Sequence, residues 1–225
     1  MTSSLLRGAV AVAAVTLLAA CSGSGSSSDD SSAKASPSPA ASTAPVEDSA
    51  ACTFLTAEDR QLLAGSAVDT VAASSPFQDG SGQCRWQESQ ALIQVTTLPA
   101  KEWAKSLPKV VTQLESSADL KTDSDKADLA RAKKLLTGAA SFTDAQACEA
   151  FTTLAELGGE KKGSTTTVTT VPITDSESGI SAQTCTGGEL TSIIYSVPGL
   201  KESKQVDKTL TSVLKSAQKR AAAAR

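Results

Sequence analysis

The chain contains no histidine. That absence removes His-based catalytic triads, imidazole general bases and His metal ligands. Aromatic side chains make up only 3% of the residues, too few for platforms that stack bases or sugars. The charge balance is slightly acidic, −3 overall, so no basic surface is expected for nucleic acid or anionic headgroups. There is no C-x-x-C pair among the five cysteines, which argues against a zinc site. Chemistry-bearing signatures are equally scarce. No G-x-S-x-G elbow is present, and Ser216-Ala217-Gln218-Lys219 lacks the companion motifs of an S-x-x-K enzyme. Gly158-Gly159 before Lys161-Lys162 lacks the spacing of a phosphate loop. Asp123-Ser124-Asp125 lacks the glycine and later glutamate of a calcium loop. The pair Asp175/Glu177 sits between Ser and Gly and reads as a turn. No catalytic residue, metal or cofactor is therefore expected.

What the chain does have begins at its N-terminus. Arg7 precedes an apolar run, Ala9 to Ala20, of 12 residues. That is shorter than the ~20 residues that span a bilayer and has the form of a cleaved export signal. The run ends in Leu18-Ala19-Ala20-Cys21, which resembles the lipobox of bacterial lipoproteins. The resemblance implies that Cys21 is acylated and becomes the new N-terminus, anchoring the protein to the cell membrane on its extracytoplasmic face. Ser22 to Glu47, 26 residues, is built almost wholly of Ser, Ala, Gly, Pro, Thr and Asp. Such a segment cannot bury enough apolar surface to offset its ordering entropy, and it is expected to be a tether with a reach of ~30 Å. The expected organisation is a signal peptide over 1–20, the acylated cysteine and tether over 21–47, and a globular part over 48–225.

Four cysteines remain: Cys52, Cys84, Cys148 and Cys185. An even number in an exported chain argues for two disulfides, and three pairings are possible. The pairs Cys52–Cys84 and Cys148–Cys185 are favoured, because their separations of 32 and 37 residues are similar.

That similarity extends to the segments around them. Thr56 reads as an N-cap and Gly65 as the stop of a short helix, and Asp144 and Gly158 as the cap and stop of another. Strand-like segments follow in each half: Val68 to Ala72, Gln83 to Gln87 and Ala91 to Leu98, then Ser164 to Ile173, Ile180 to Thr186 and Leu190 to Val197. Gly187-Gly188 is a hairpin signal. A proline and an amphipathic helix close each half. Trp103, Leu107, Val110, Val111 and Leu114 share their spacing with Val206, Leu210, Val213, Leu214 and Ala217, which makes one buried stripe each. Pro108 should kink the first of these helices or mark a restart. Asp125 to Leu136, ending before Gly138, reads as a connecting helix. The expected fold is α+β: two tandem similar α-β-β-β-α units, 48–116 and 144–222, with antiparallel sheet, packed helices and two disulfides.

The combination of lipobox, Ser/Pro tether, C-x-x-L with a short helix and C-x-W before an apolar strand resembles a family of actinobacterial secreted lipoproteins of unknown function. The matching residues are Cys52, Leu55, Cys84 and Trp86, within residues 50–116. In the second half Phe151 stands near the Leu position and Gly187 where Trp would be. The resemblance implies location and disulfides, and gives Leu55 and Trp86 structural roles. With no catalytic motif and a groove expected between the halves, the expected partners are the membrane, through lipid, and a small apolar ligand, an envelope component or a protein. The alternative class is a cell-surface hydrolase using Ser, Lys or carboxylates. Any ligand site is expected at the junction of the halves.

Overall fold

The computed structural model describes residues 49–116, 122–174 and 177–225. The expected signal peptide, Cys21 and the tether lie outside them, as does the Leu114 side chain.

Each helix starts where a side chain satisfies its first free amides. Helix α1 (Ala57–Ala64) begins at Thr56, whose hydroxyl accepts from Asp59 N while the Asp59 carboxylate accepts from Thr56 N. This reciprocal cap stops both ends of the pairing from depending on water. Gly65, at φ 75°, ends the helix in the left-handed region. Helix α3 (Asp123–Leu135) repeats the device with Thr122 and Asp125. Helix α4 (Asp144–Leu157) uses Thr143 and Gln146. The sequence points to Asp144 as that cap. Its carboxylate instead accepts from Lys101 N at the start of helix α2 (Ala100–Ser116), so it joins two helices. Helix α5 (Lys204–Ala223) is capped by the Ser203 hydroxyl. Helix α2 runs through Pro108 as one element. No restart occurs there.

The strands are β1 (Val71–Gln78), β2 (Ser81–Glu88), β3 (Ala91–Pro99), β4 (Thr166–Pro172), β5 (Ser178–Thr186) and β6 (Glu189–Ser196). They form one antiparallel sheet in the order β1-β2-β3-β6-β5-β4. β3 and β6 meet in the middle, Val95 opposite Ile193. Asp79-Gly80 and Gly187-Gly188 close hairpins with positive φ at both residues, the backbone that two-residue turns need to match strand twist. β1 begins later than the sequence suggests. Val68 is buried outside it, and the strand continues through Pro76, which an edge strand tolerates because its outer N–H has no ladder partner.

Both favoured disulfides are present. Cys52–Cys84 spans 5.0 Å between Cα atoms and Cys148–Cys185 spans 5.2 Å. The register shows that they lie on opposite sides of the sheet. Cys84 faces Val95, Val95 faces Ile193, and Ile193 faces Ala182, all on one surface. Cys185 faces Leu190, and Leu190 faces Leu98, three residues from Val95 and so on the other surface. The first surface packs Phe54, Leu55, Trp86, Ile93, Ile180 and Tyr195 under Leu210, Val213, Leu214 and Ala217 of α5. The second packs Leu98, Cys185 and Leu190 under α2, α3 and α4, around Trp103 and Phe151. The halves thus share an order of elements but place corresponding helices on opposite faces.

Candidate functional site

The residues singled out by the C-x-x-L and C-x-W pattern come together on the first surface. Leu55 and Trp86 are buried in one core with Cys84, and Cys52 packs against it. Arg60 from α1 explains the arrangement. Its guanidinium lies 4.8 Å from the Trp86 ring centroid, its Nε donates to Val68 O at 2.7 Å, and its Nη1 donates to Leu55 O at 3.0 Å. Asp69 pairs with the remaining nitrogen. The motif is a structural corner, with its polar groups satisfied.

The opposite surface is different. Next to the apolar row Leu98–Leu190–Cys185, the register sets Gln83, Thr96, Ser192, Gln183 and Thr167 side by side across five strands. The next row on that face is Arg85, Gln94, Ile194, Ser181 and Thr169. Nine of these ten side chains are polar, and none is a carboxylate. With strands about 4.8 Å apart, the band is about 19 Å long. A face that alternates with a core and carries mostly Ser, Thr and Gln is normally the wet side of a sheet. Here it is enclosed: Gln183 and Ser181 are 1% exposed, Ser192 is 3%, and Gln94, Thr167 and Thr169 are also buried. Gln83, Arg85 and Thr96, at the β2 side, are half-buried, so the band opens in that direction.

Its hydrogen-bonding capacity is largely unused. Gln94 Nε2 donates to Thr96 Oγ1 at 3.4 Å, and an Arg85 nitrogen donates to Gln87. Among the described residues, the Ser181 and Ser192 hydroxyls, both polar atoms of the Gln183 amide and Arg85 Nε are buried with no partner. Buried polar atoms left unpaired each cost about 1–3 kcal/mol, so five in two adjacent rows is an expensive arrangement for a fold alone. Sequence reasoning missed this site. Its signal was the Thr- and Ser-rich make-up of β4 and β5, which a sequence reading takes for solvent-facing positions.

Two clefts lie elsewhere, neither lined by any of these ten residues. One of about 680 Å³ lies along α3, lined by Glu115, Leu129, Lys126, Lys133 and Lys134, and Lys133 is paired with Glu115. A smaller one of about 250 Å³ lies between the β2–β3 turn at Gln90 and Glu177, Ser196 and Leu200 of the second half. Ser203-Lys204 and Ser216 to Lys219 fall on α5 and its cap, away from both. Asp175 lies outside the described residues. Among the described residues no group of three or more potential metal ligands occurs, and no helix is long and apolar enough to cross a membrane.

Ionisable groups with shifted titration lie elsewhere on the sheet. Burial raises the Glu189 carboxyl above its usual range, opposed by the Arg225 guanidinium that pairs with it and by a bond from Thr191 Oγ1. Burial also raises Tyr195 and Asp207, with Asp207 acting on Tyr195 and Glu202 on Asp207.

The chain matches no protein-family model, no curated protein and no solved structure.

Proposed function

We propose that this protein is an extracytoplasmic lipoprotein, held to the cell membrane through acylated Cys21, that binds an envelope component without transforming it. The observation that carries the binding reading is the band of unpaired, buried polar groups around Gln183 and Ser192. The band crosses from β2 and β3 into β6, β5 and β4, so it lies across the junction of the two halves. We read those halves as similar in element order, α-β-β-β-α in each, with their helices on opposite faces of the shared sheet. The apolar ligand considered from sequence fits less well, because it would leave every group of the band unpaired. The non-catalytic reading draws support from the neighbours of the two buried serines. Ser181 lies between Ile194 and Thr169, and Ser192 between Thr96 and Gln183. None of these is a base that could activate a hydroxyl.

A photo-crosslinking side chain introduced at Gln87, exposed beside Arg85 at the open end of the band, tests the reading in intact cells. It should yield a discrete adduct with an envelope component, lost in the Ser192→Ala variant. Adducts that persist in that variant, or form equally from a crosslinker placed at Lys208 on the opposite helix layer, would contradict it.

A further inference from the structure

We propose that the ligand of this band is a neutral, hydroxyl-rich chain, that is, a segment of glycan. The inference rests on the binding reading above and adds the chemical class. Three observations carry it.

The first is charge. The two rows contain one guanidinium, Arg85, and no carboxylate. An enclosed site with so little charge disfavours a strongly ionic ligand, whose desolvation would go uncompensated. The second is the balance of donors and acceptors. Ser181 and Ser192 each offer a hydroxyl, Gln183 offers a free NH₂ and a free C=O, and Arg85 Nε offers a donor. A ligand whose groups both donate and accept, as hydroxyls do, can pair with all of them at once. An amine-rich or a carboxylate-rich ligand could satisfy only one side. The third is orientation. These groups stand on a sheet face, not on an edge. An extended peptide gains its backbone ladder at a strand edge, where N–H and C=O lie in the plane of the sheet. A face presents side chains alone, which suits hydroxyls radiating from a ring. The scarcity of aromatics removes stacking, so binding rests on hydrogen bonds, and each contact in the band should count measurably.

The length also fits. Five strands set about 19 Å between Gln83 and Thr167, the span of a short linear oligosaccharide, and the band is least buried at Gln83, Arg85 and Thr96.

The test uses the full mature chain with Cys21→Ala, so that it remains in solution, on an array of linear oligosaccharides. The array carries neutral and acidic chains of varied sugars. Phosphatidylglycerol vesicles and a fluorescent apolar probe are assayed in parallel. The proposal expects capture of neutral chains, weakened about tenfold by Ser192→Ala, by Gln183→Met and by Arg85→Ala, since each removes one or two hydrogen bonds. Ser192→Ala deletes a single oxygen and keeps the test sound should Gln183→Met fold poorly. Capture of acidic chains alone, or capture that none of the three variants alters, overturns the glycan assignment. Binding of vesicles or apolar probe that the same variants alter overturns the glycan class and leaves the band as the site. No binding of any probe by the intact protein overturns both.

Discussion

The Arg60 guanidinium lies over the Trp86 ring, 4.8 Å from its centroid, while two of its nitrogens donate to Leu55 O and Val68 O. One cation thereby joins α1, the segment leading to β1 and strand β2. Both motif residues, Leu55 and Trp86, meet on it. Arg60→Ala should lower stability by about 3 kcal/mol, since it strands two buried carbonyls and removes a cation–π contact. Arg60→Lys should recover little, because a single ammonium cannot reach two carbonyls and a carboxylate with separate nitrogens while covering the ring. Urea denaturation of both variants measures this. Wild-type stability in Arg60→Lys would contradict the role.

The two disulfides clamp opposite faces, so their loss should act independently. Replacing Cys52 and Cys84 by Ala should cost about 2–5 kcal/mol, and replacing Cys148 and Cys185 a similar amount. The effects should add, because the bonds share no partner. Non-reducing peptide mapping should recover Cys52 with Cys84 and Cys148 with Cys185. A peptide linking the halves would refute the arrangement.

Glu189 makes stability depend on pH in a defined direction. Its carboxyl titrates higher in the folded chain than in the unfolded one, chiefly through burial. The folded state therefore holds the proton more tightly over the interval from the unfolded value, near 4.5, up through the raised folded value. In that interval stability falls as pH rises. Glu189→Gln should flatten this fall, read by denaturation from pH 4 to 7. Arg225→Ala should steepen it, because the folded value then rises further. An unchanged profile in both variants would show that the pair is not coupled to folding.

The anchor makes a prediction of its own. Cells fed a clickable fatty acid should label the wild-type protein and not Cys21→Ala, which should appear in the medium. Label retained on the variant would refute acylation at Cys21.

Much of this fold was legible in the sequence, because turns and helix ends are local. Gly187-Gly188, Thr56 with Asp59, and the stripe from Leu210 to Ala217 each specify their own element. β1 was harder. Its Ser and Pro76 hid an edge strand, although Asp79-Gly80 was a hairpin signal at its end. The opposite placement of the two disulfides was not legible. It depends on the β3–β6 register, which pairs residues about a hundred positions apart, and a one-residue shift there would reverse the face. The polar band was hidden for the same reason. Ser181 and Gln183 follow an ordinary strand alternation, Ser192 stands alone between Leu190 and Ile194 on its face, and only the assembled sheet shows that this side is enclosed.

The claim at the centre of the account is that Gln183 and Ser192 are kept for a ligand and not for the fold. The unliganded protein alone can test it. Buried polar atoms without partners oppose folding, so apolar replacements of similar shape should stabilise the chain. Urea denaturation of the Gln183→Met/Ser192→Ala double variant is the most direct measurement. The account predicts a gain of about 1–3 kcal/mol. A loss of that size would mean that these groups hold the structure together, and would contradict the assignment of the band as a binding site.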